Sequence, residues 1–258
     1  MCQLLGMNCN TPTDILFSFE GFCRRGGLTD QHGDGWGIGF FEGAGVRTFL
    51  DVAPSAHSQV AAFVRQYPIH AEHVIAHIRK ATQGQIALCN THPFLRELWG
   101  QNWLFAHNGN LLNYTPPPGQ YYRPIGNTDS EAAFCQLLEA LRQANEHELP
   151  FVELWRTLNR STHAIRQHGV FNFLLSNGHV MFAHCSSELH YLVRQAPFPV
   201  AHLIDDDVSV DFAHTTTPND RVAIIATRPL TDNEEWIAFH PNELKVFKFG
   251  APLKMAGD

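Results

Sequence analysis

Cysteine stands at the second position, directly behind Met1, and the residues that follow, Gln3-Leu4-Leu5-Gly6-Met7, form an apolar run with the character of a strand. Two readings of Cys2 fit. A free cysteine is often a small buried hydrophobe. Removal of Met1 would instead leave a thiol and a free α-amine on one residue, a nucleophile beside its own base. Further along, Ala106-His107-Asn108-Gly109-Asn110 sets a carboxamide donor next to a flexible backbone N–H. Two donors aimed at one point stabilise an oxyanion, while Asn-Gly is equally an ordinary turn dipeptide. Arg79 offers a planar fork for a carboxylate, or pairs with a surface acid. Asp129 would hold an ammonium, or simply complement a helix N-terminus.

Two other clusters invite chemistry and do not carry it. Glycines at 33, 35, 37 and 39 have period two, whereas a dinucleotide fingerprint needs glycine where Ile38 or Phe40 stands. The period instead lines one strand face with small residues, open to close approach by a backbone or a ligand. His73 and His77 have the spacing of helical metal ligands. Their surroundings, HVIAHIR, alternate and are β-branched, which puts the two histidines along a strand, roughly 13 Å apart. No metal and no cofactor are expected.

The elements that must position these residues follow from periodicity and turn chemistry. Residues 2–8 read as a strand, and Thr11-Pro12-Thr13 as the opening of a helix with Ile15, Leu16, Phe19, Phe22 and Cys23 on one face. Gly33-Asp34-Gly35 turns into the strand WGIGFF, which Gly43-Ala44-Gly45 joins to VRTFLDV as a hairpin. A short helix around 58–66 precedes HVIAHIR, and WLFAHNG (103–109) is a strand running into a turn. Residues 128–145 form the clearest helix, with Thr128 as its cap, Glu131 closing a capping box, and an apolar stripe of Ala133, Leu137, Leu138 and Leu141. A second helix, 151–167, follows, and from Phe171 onward short strands alternate with turns. Pro116-Pro117-Pro118 marks an exposed loop, not a linker. The reading is one α+β domain over residues 1–258.

Composition narrows the class. The chain has 258 residues, 44% hydrophobic, enough to fill a sizeable core. Only 17% are charged and the net charge is −7, which argues against a nucleic-acid partner. The first basic residue is Arg24, so no secretory signal is expected, and no apolar run approaches membrane-spanning length. The six cysteines, at 2, 9, 23, 89, 135 and 185, contain no Cys-x-x-Cys pair and favour neither zinc nor a disulfide framework. The expectation is a cytoplasmic protein with no membrane or nucleic-acid partner.

Taken together and in order, the Cys2 start, HIRKAT (77–82), NTHPF (90–94), AHNGN (106–110) and NTDSE (127–131) resemble the glutaminase domain of class II glutamine amidotransferases. The resemblance spans most of the chain. Around MCQLLGMN, DGWGI, NTHPFLRELWG, FAHNG, TPND and IATRPLT it is close to the stand-alone bacterial members of that class. It implies the N-terminal-nucleophile hydrolase fold, a four-layer αββα sandwich of two mainly antiparallel sheets. It also implies Cys2 as nucleophile with its freed amine as base, and Asn108 and Gly109 as the oxyanion hole. Arg79 would hold the α-carboxylate of glutamine and Asp129 its α-ammonium, with Thr82 and His92 in support.

Two positions depart from the family pattern. Lys80 stands where many members carry an aromatic residue, and Gln83 where histidine is frequent; both flank the implied carboxylate site. The resemblance therefore implies cleavage of a γ-glutamyl amide through a thioester, with glutamine as substrate and an ammonia-accepting partner protein. The alternative within enzymes is a hydrolase of a γ-glutamyl conjugate. Outside enzymes, the alternatives are a non-catalytic relative that binds an amino acid, or a His-rich metal protein.

Overall fold

The computed structural model describes residues 2–255. In chain order it comprises β1 (Gln3–Thr13), α1 (Leu16–Arg24), β2 (Trp36–Glu42), β3 (Gly45–Asp51), α2 (Gln59–Gln66) and β4 (Ala71–Ile78). Next come β5 (Phe94–Leu98), β6 (Gln101–Leu111), α3 (Asp129–Ala144), α4 (Phe151–Ile165), β7 (Gly169–Ser176) and β8 (Met181–Cys185). The last third holds β9 (His190–Gln195), β10 (Val200–His202), β11 (Ser209–Asp211), β12 (Arg221–Ala226), β13 (Ile237–Ala238), β14 (Glu243–Lys248) and β15 (Ala251–Pro252).

A seven-stranded sheet has the order β13-β9-β12-β1-β4-β2-β3 and a six-stranded sheet the order β15-β14-β8-β7-β6-β5. Every neighbouring pair in both is antiparallel. Strand alternation sends side chains to both faces, and three cores result. On β1, Leu5, Met7 and Cys9 pack with Phe19, Phe22, Ala61 and Val64 of α1 and α2. Leu4 points the other way, into a core it shares with Leu104, Ala106, Leu174 and Ile225 between the sheets. On the far side, Phe105, Phe171 and Phe173 meet Phe134, Leu137 and Leu138 of α3 and Leu154 and Leu158 of α4. Helix pair, sheet, sheet, helix pair is the four-layer αββα order.

Of the period-two glycines, Gly39 faces the inter-sheet space. A Cβ on Gly39 would lie 2.6 Å from Leu104 Cδ2 of the opposite sheet, so glycine there lets the two sheets close. His73 and His77 lie on β4, a strand, as their β-branched surroundings predict.

Three local expectations are corrected. Strand β1 runs through Thr13 after a register shift beyond Asn8, so Thr11-Pro12-Thr13 ends a strand. Proline is tolerated there because that ladder is already irregular. The helix starts at Leu16, whose N–H donates to Asp14 Oδ1 at 3.0 Å. Only half of the capping box forms. Thr128 Oγ1 accepts from Glu131 N–H at 3.2 Å, but the Glu131 carboxylate accepts from Ile125 and Gly126 N–H and pairs with Arg96. Finally, Asn108-Gly109 is not a turn: β6 continues through both residues to Leu111.

Candidate active site

Cys2 sits at the head of β1, and the register opposing Gln3 to Ile78 brings it to the end of β4, where Arg79 and Lys80 follow. The thiol donates to the Lys80 carbonyl at 3.4 Å and accepts from the Lys80 N–H at 3.3 Å. Burial pushes the thiol pKa above its ordinary value, against the opposing pull of the Lys80 main chain and the positive charge of Arg79.

Arg79 is buried, and among the described residues its guanidinium donates to main-chain carbonyls alone: Gln85 at 3.1 Å, Gln83 at 2.9 Å and Gly84 at 3.3 Å. Among the described residues no carboxylate lies within ion-pair distance of it. A buried cation held by neutral dipoles alone is electrostatically unfinished, and an incoming carboxylate would complete it. Asp129, the first residue of α3, spends one carboxylate oxygen on the Leu111 N–H at 2.8 Å, which fastens the helix start to the end of β6. The next residue, Ser130, meets His107 Nδ1 at 2.8 Å, while His107 Nε2 meets the Val170 carbonyl at 3.1 Å. The carbonyl requires Nε2 to carry the proton, so Nδ1 accepts from the serine hydroxyl.

Cys2, Arg79, Thr82, His92, Gly109 and Asp129 line one cavity of about 20 Å³, together with Gln83, His107 and Thr128. Space of that size holds no more than a water or two. A chamber of about 300 Å³ adjoins it and shares Gln83, Thr128 and Asp129 as its wall. Gln83 is anchored there, its amide donating to Asn110 Oδ1 and to the Leu111 carbonyl.

Asn108 does not border the small cavity. It is fully buried behind Gly109, its Nδ2 donating to Thr227 Oγ1 at 3.2 Å and its carboxamide oxygen without a partner. Thr227 Oγ1 also accepts from the Leu4 N–H, which ties the strand that follows Cys2 to the same hydroxyl. A half-turn of the carboxamide would let that hydroxyl donate to the oxygen and would release the NH₂. His92 is likewise buried, with neither ring nitrogen hydrogen-bonded among the described residues, and its ring packs at a tilt against His77 and Phe94, centroids 4.2 and 4.4 Å away. Burial holds its pKa well below the usual value, so it is a neutral ring. Among the described residues no group of histidines, cysteines and acids is arranged to hold a metal ion, and no helix is long and apolar enough to cross a membrane.

Residues to which the sequence assigns no part in the site complete the surroundings. Thr227 is one. His77, whose Nε2 lies 3.0 Å from the His107 carbonyl, and Asn172, whose amide reaches the Asn108 carbonyl at 2.9 Å, are the others. Each arrives from a segment distant in sequence: His77 opens the HIRKAT stretch and Thr227 lies within IATRPLT, while no motif marks Asn172.

A family model described as glutamine amidotransferases class-II matches residues 1–257. The chain is 54% identical over 253 residues to a provisionally named glutamine amidotransferase of Haemophilus influenzae, covering 98% of this chain and 86% of that one. It is 51% identical over 251 residues to YafJ of Escherichia coli, provisionally named in the same way, covering 97% and 98% of the two chains. A crystal structure of a glutamine amidotransferase assigned by sequence, from Pseudomonas aeruginosa PA01, superposes with a TM-score of 0.79 at 43% identity, covering 98% of this chain and all 100% of that one. The phosphoribosylpyrophosphate amidotransferase of B. subtilis shares the fold, with a TM-score of 0.61 at 14% identity over 98% of this chain and 48% of its own. A shorter match, 35% identical over 119 residues, joins 43% of this chain to 47% of a γ-glutamyl-hercynylcysteine sulfoxide hydrolase of Mycobacterium tuberculosis.

Proposed function

The chain belongs to the class II glutamine amidotransferase family, with the N-terminal-nucleophile hydrolase fold, and from that premise we propose that it hydrolyses the γ-amide of glutamine through a γ-glutamyl thioester on Cys2. One observation carries this reading. Cys2, Arg79, Gly109 and Asp129 come from four separate segments and border one cavity, where the guanidinium has no anionic partner among the described residues.

In the reaction, the α-amine of Cys2, freed by loss of Met1, takes the thiol proton. The thiolate attacks the γ-carbonyl, and the charge that develops on its oxygen faces the Gly109 N–H, with the Asn108 amide as second donor. Collapse of the tetrahedral intermediate passes the proton to the leaving nitrogen and releases ammonia. Water, deprotonated by the same amine, cleaves the thioester and releases glutamate. Arg79 and Asp129 read the two ends of the substrate's zwitterion, which holds the amide over the sulfur.

The acceptor of the ammonia would be supplied by a separate protein. The second reading is a hydrolase of a larger γ-glutamyl conjugate. Gln83, in place of the more frequent histidine, and the partial match to a γ-glutamyl conjugate hydrolase favour it. A mass-detected screen of glutamine and assorted γ-glutamyl compounds with Met1-free protein tests both. Turnover is expected for at least one, and none with Cys2→Ala; an active Cys2→Ala variant sinks the mechanism.

A further inference from the structure

Both peptide units around Asn108 are held through their carbonyls by side chains from different sheets. His77 on β4 donates Nε2–H to the His107 carbonyl at 3.0 Å. Asn172 on β7 stands opposite Asn108 in the β6–β7 register and donates Nδ2–H to the Asn108 carbonyl at 2.9 Å. That second carbonyl shares its peptide unit with the N–H of Gly109. In a trans peptide the C=O and N–H point in opposite directions, so a group that fixes one fixes the other.

Asn172 is itself immobile. It is fully buried, its second N–H goes to Ser187 Oγ at 2.9 Å, and its oxygen accepts from the Ser186 N–H at 2.8 Å and the Ser187 N–H at 3.0 Å. With every donor and acceptor engaged, the carboxamide has one orientation. Gly109 has equally little freedom, because a Cβ there would lie 1.8 Å from the Val170 carbonyl oxygen.

We infer that Asn172 is a positioning residue for the oxyanion site, setting the direction in which the Gly109 N–H points; the inference rests on the thiol-amidase reading above. Charge appears on the substrate oxygen only after thiolate attack, so losing this restraint acts on kcat and leaves KM nearly alone. Asn172→Asp isolates the effect. It removes the donor to the Asn108 carbonyl and keeps acceptors for the Ser186 and Ser187 N–H groups.

The test measures steady-state ammonia release and the Gly109 amide resonance of ¹⁵N-labelled, Met1-free protein. For Asn172→Asp, kcat on glutamine should fall roughly 10- to 100-fold, within what one oxyanion donor is worth. KM should stay within roughly threefold, the spectrum should remain dispersed, and the Gly109 resonance should move. Asn172→Gln, which displaces the same amide by one methylene, is the second variant should the aspartate not fold, and the same changes are expected of it. Wild-type kcat, or an unmoved Gly109 resonance, overturns the inference. If the unmutated protein releases nothing from any γ-glutamyl amide, the amidase reading falls by itself. The Gly109 resonance then still decides whether Asn172 sets that peptide.

Discussion

The sulfur of Cys2 lies between the carbonyl and the N–H of one residue, Lys80, at 3.4 and 3.3 Å. A thiol can donate to the first and a thiolate can accept from the second, so this seat suits both protonation states. Burial raises the thiol pKa above 9.0 and makes the resting group a thiol. A base must therefore act on it.

In the proposed mechanism the α-amine of Cys2 is that base, and only when Met1 is gone. The expectation for Met1 itself, that it lies beside or over the thiol, falls outside the described residues. The chemistry is independent of its placement: with Met1 attached, the Cys2 nitrogen is an amide whose lone pair is delocalised into a carbonyl. Processed protein should show a rising limb in kcat/KM near the ~7.7–8.0 of a free α-amine. Met1-bearing protein should be nearly inactive, and iodoacetamide should alkylate it more slowly than a free thiol across the usual thiol range. Intact mass paired with ammonia release on matched samples decides the matter. Equal rates would remove the amine from the mechanism.

Arg79 and Asp129 should govern recognition more than rate. Asp129→Asn keeps an acceptor for the Leu111 N–H and loses only the charge. One charge-assisted hydrogen bond is worth about 1.5–3 kcal/mol, so KM for glutamine should rise roughly 10- to 100-fold with a smaller change in kcat. The discriminating ligand is the glutamine analogue lacking the α-amino group. Calorimetric binding to the Cys2→Ala background should show Asp129→Asn indifferent to it. A similar loss for both ligands would mean that Asp129 only anchors the helix.

The residues of the candidate site stood out in the sequence where the proposed chemistry demands a residue type at one place in the chain. Cys2 behind Met1, the Asn108-Gly109 pair and Asp129 behind the Thr128 cap are local patterns, and five of them in order name the family. The αββα layering came with that resemblance, while the helices and most strands were readable from periodicity alone. What stayed hidden depends on register. Nothing near Asn172 marks it, and the stretches that contain Thr227 and His77 do not reveal what these two hold, because the partners lie 64, 119 and 30 residues away. Asn-Gly read as a turn because its local preference is for one, and pairing of β6 with β7 overrides that preference. Glu131 had the spacing of a capping box, but the unpaired N–H groups of Ile125 and Gly126 and the charge of Arg96 compete for it and win.

Gly109 should tolerate no side chain. Besides the Val170 oxygen, a Cβ would meet His107 Nε2 at 2.5 Å, and neither neighbour is the free end of a flexible chain. Relief would require β6 to leave β7 just where Asn108 and Asn172 oppose each other. Gly109→Ala should therefore cost about 1–3 kcal/mol in urea unfolding, as overpacked sites do, and abolish most of the glutaminase rate. A fully active, fully stable alanine variant would show that the strand has slack that this packing denies.

Acid should unfold the protein well before its carboxylates are exhausted, because buried histidines, His73, His77 and His184 among them, are held neutral. Burial pushes His77 down to about 3, and His73 and His184 down to about 4. His73 sits between Asn8 Nδ2 and Ser176 Oγ, and His184 against the Phe171 carbonyl, so neither has an acid to pair with if it charges. In the unfolded chain each would titrate near 6.5. Between those values the unfolded state binds more protons, so stability is fully present above about pH 6.5 and is lost as the pH falls toward 4. Each histidine contributes up to about 1.4 kcal/mol per pH unit in that window. Urea titrations from about pH 7.5 down to about 4.5 should show the unfolding free energy falling, with a slope that flattens by close to one proton in His73→Asn. Stability that stays level across that interval would mean that these rings reach a charge-stabilising partner, against the geometry of β4, β7 and β8.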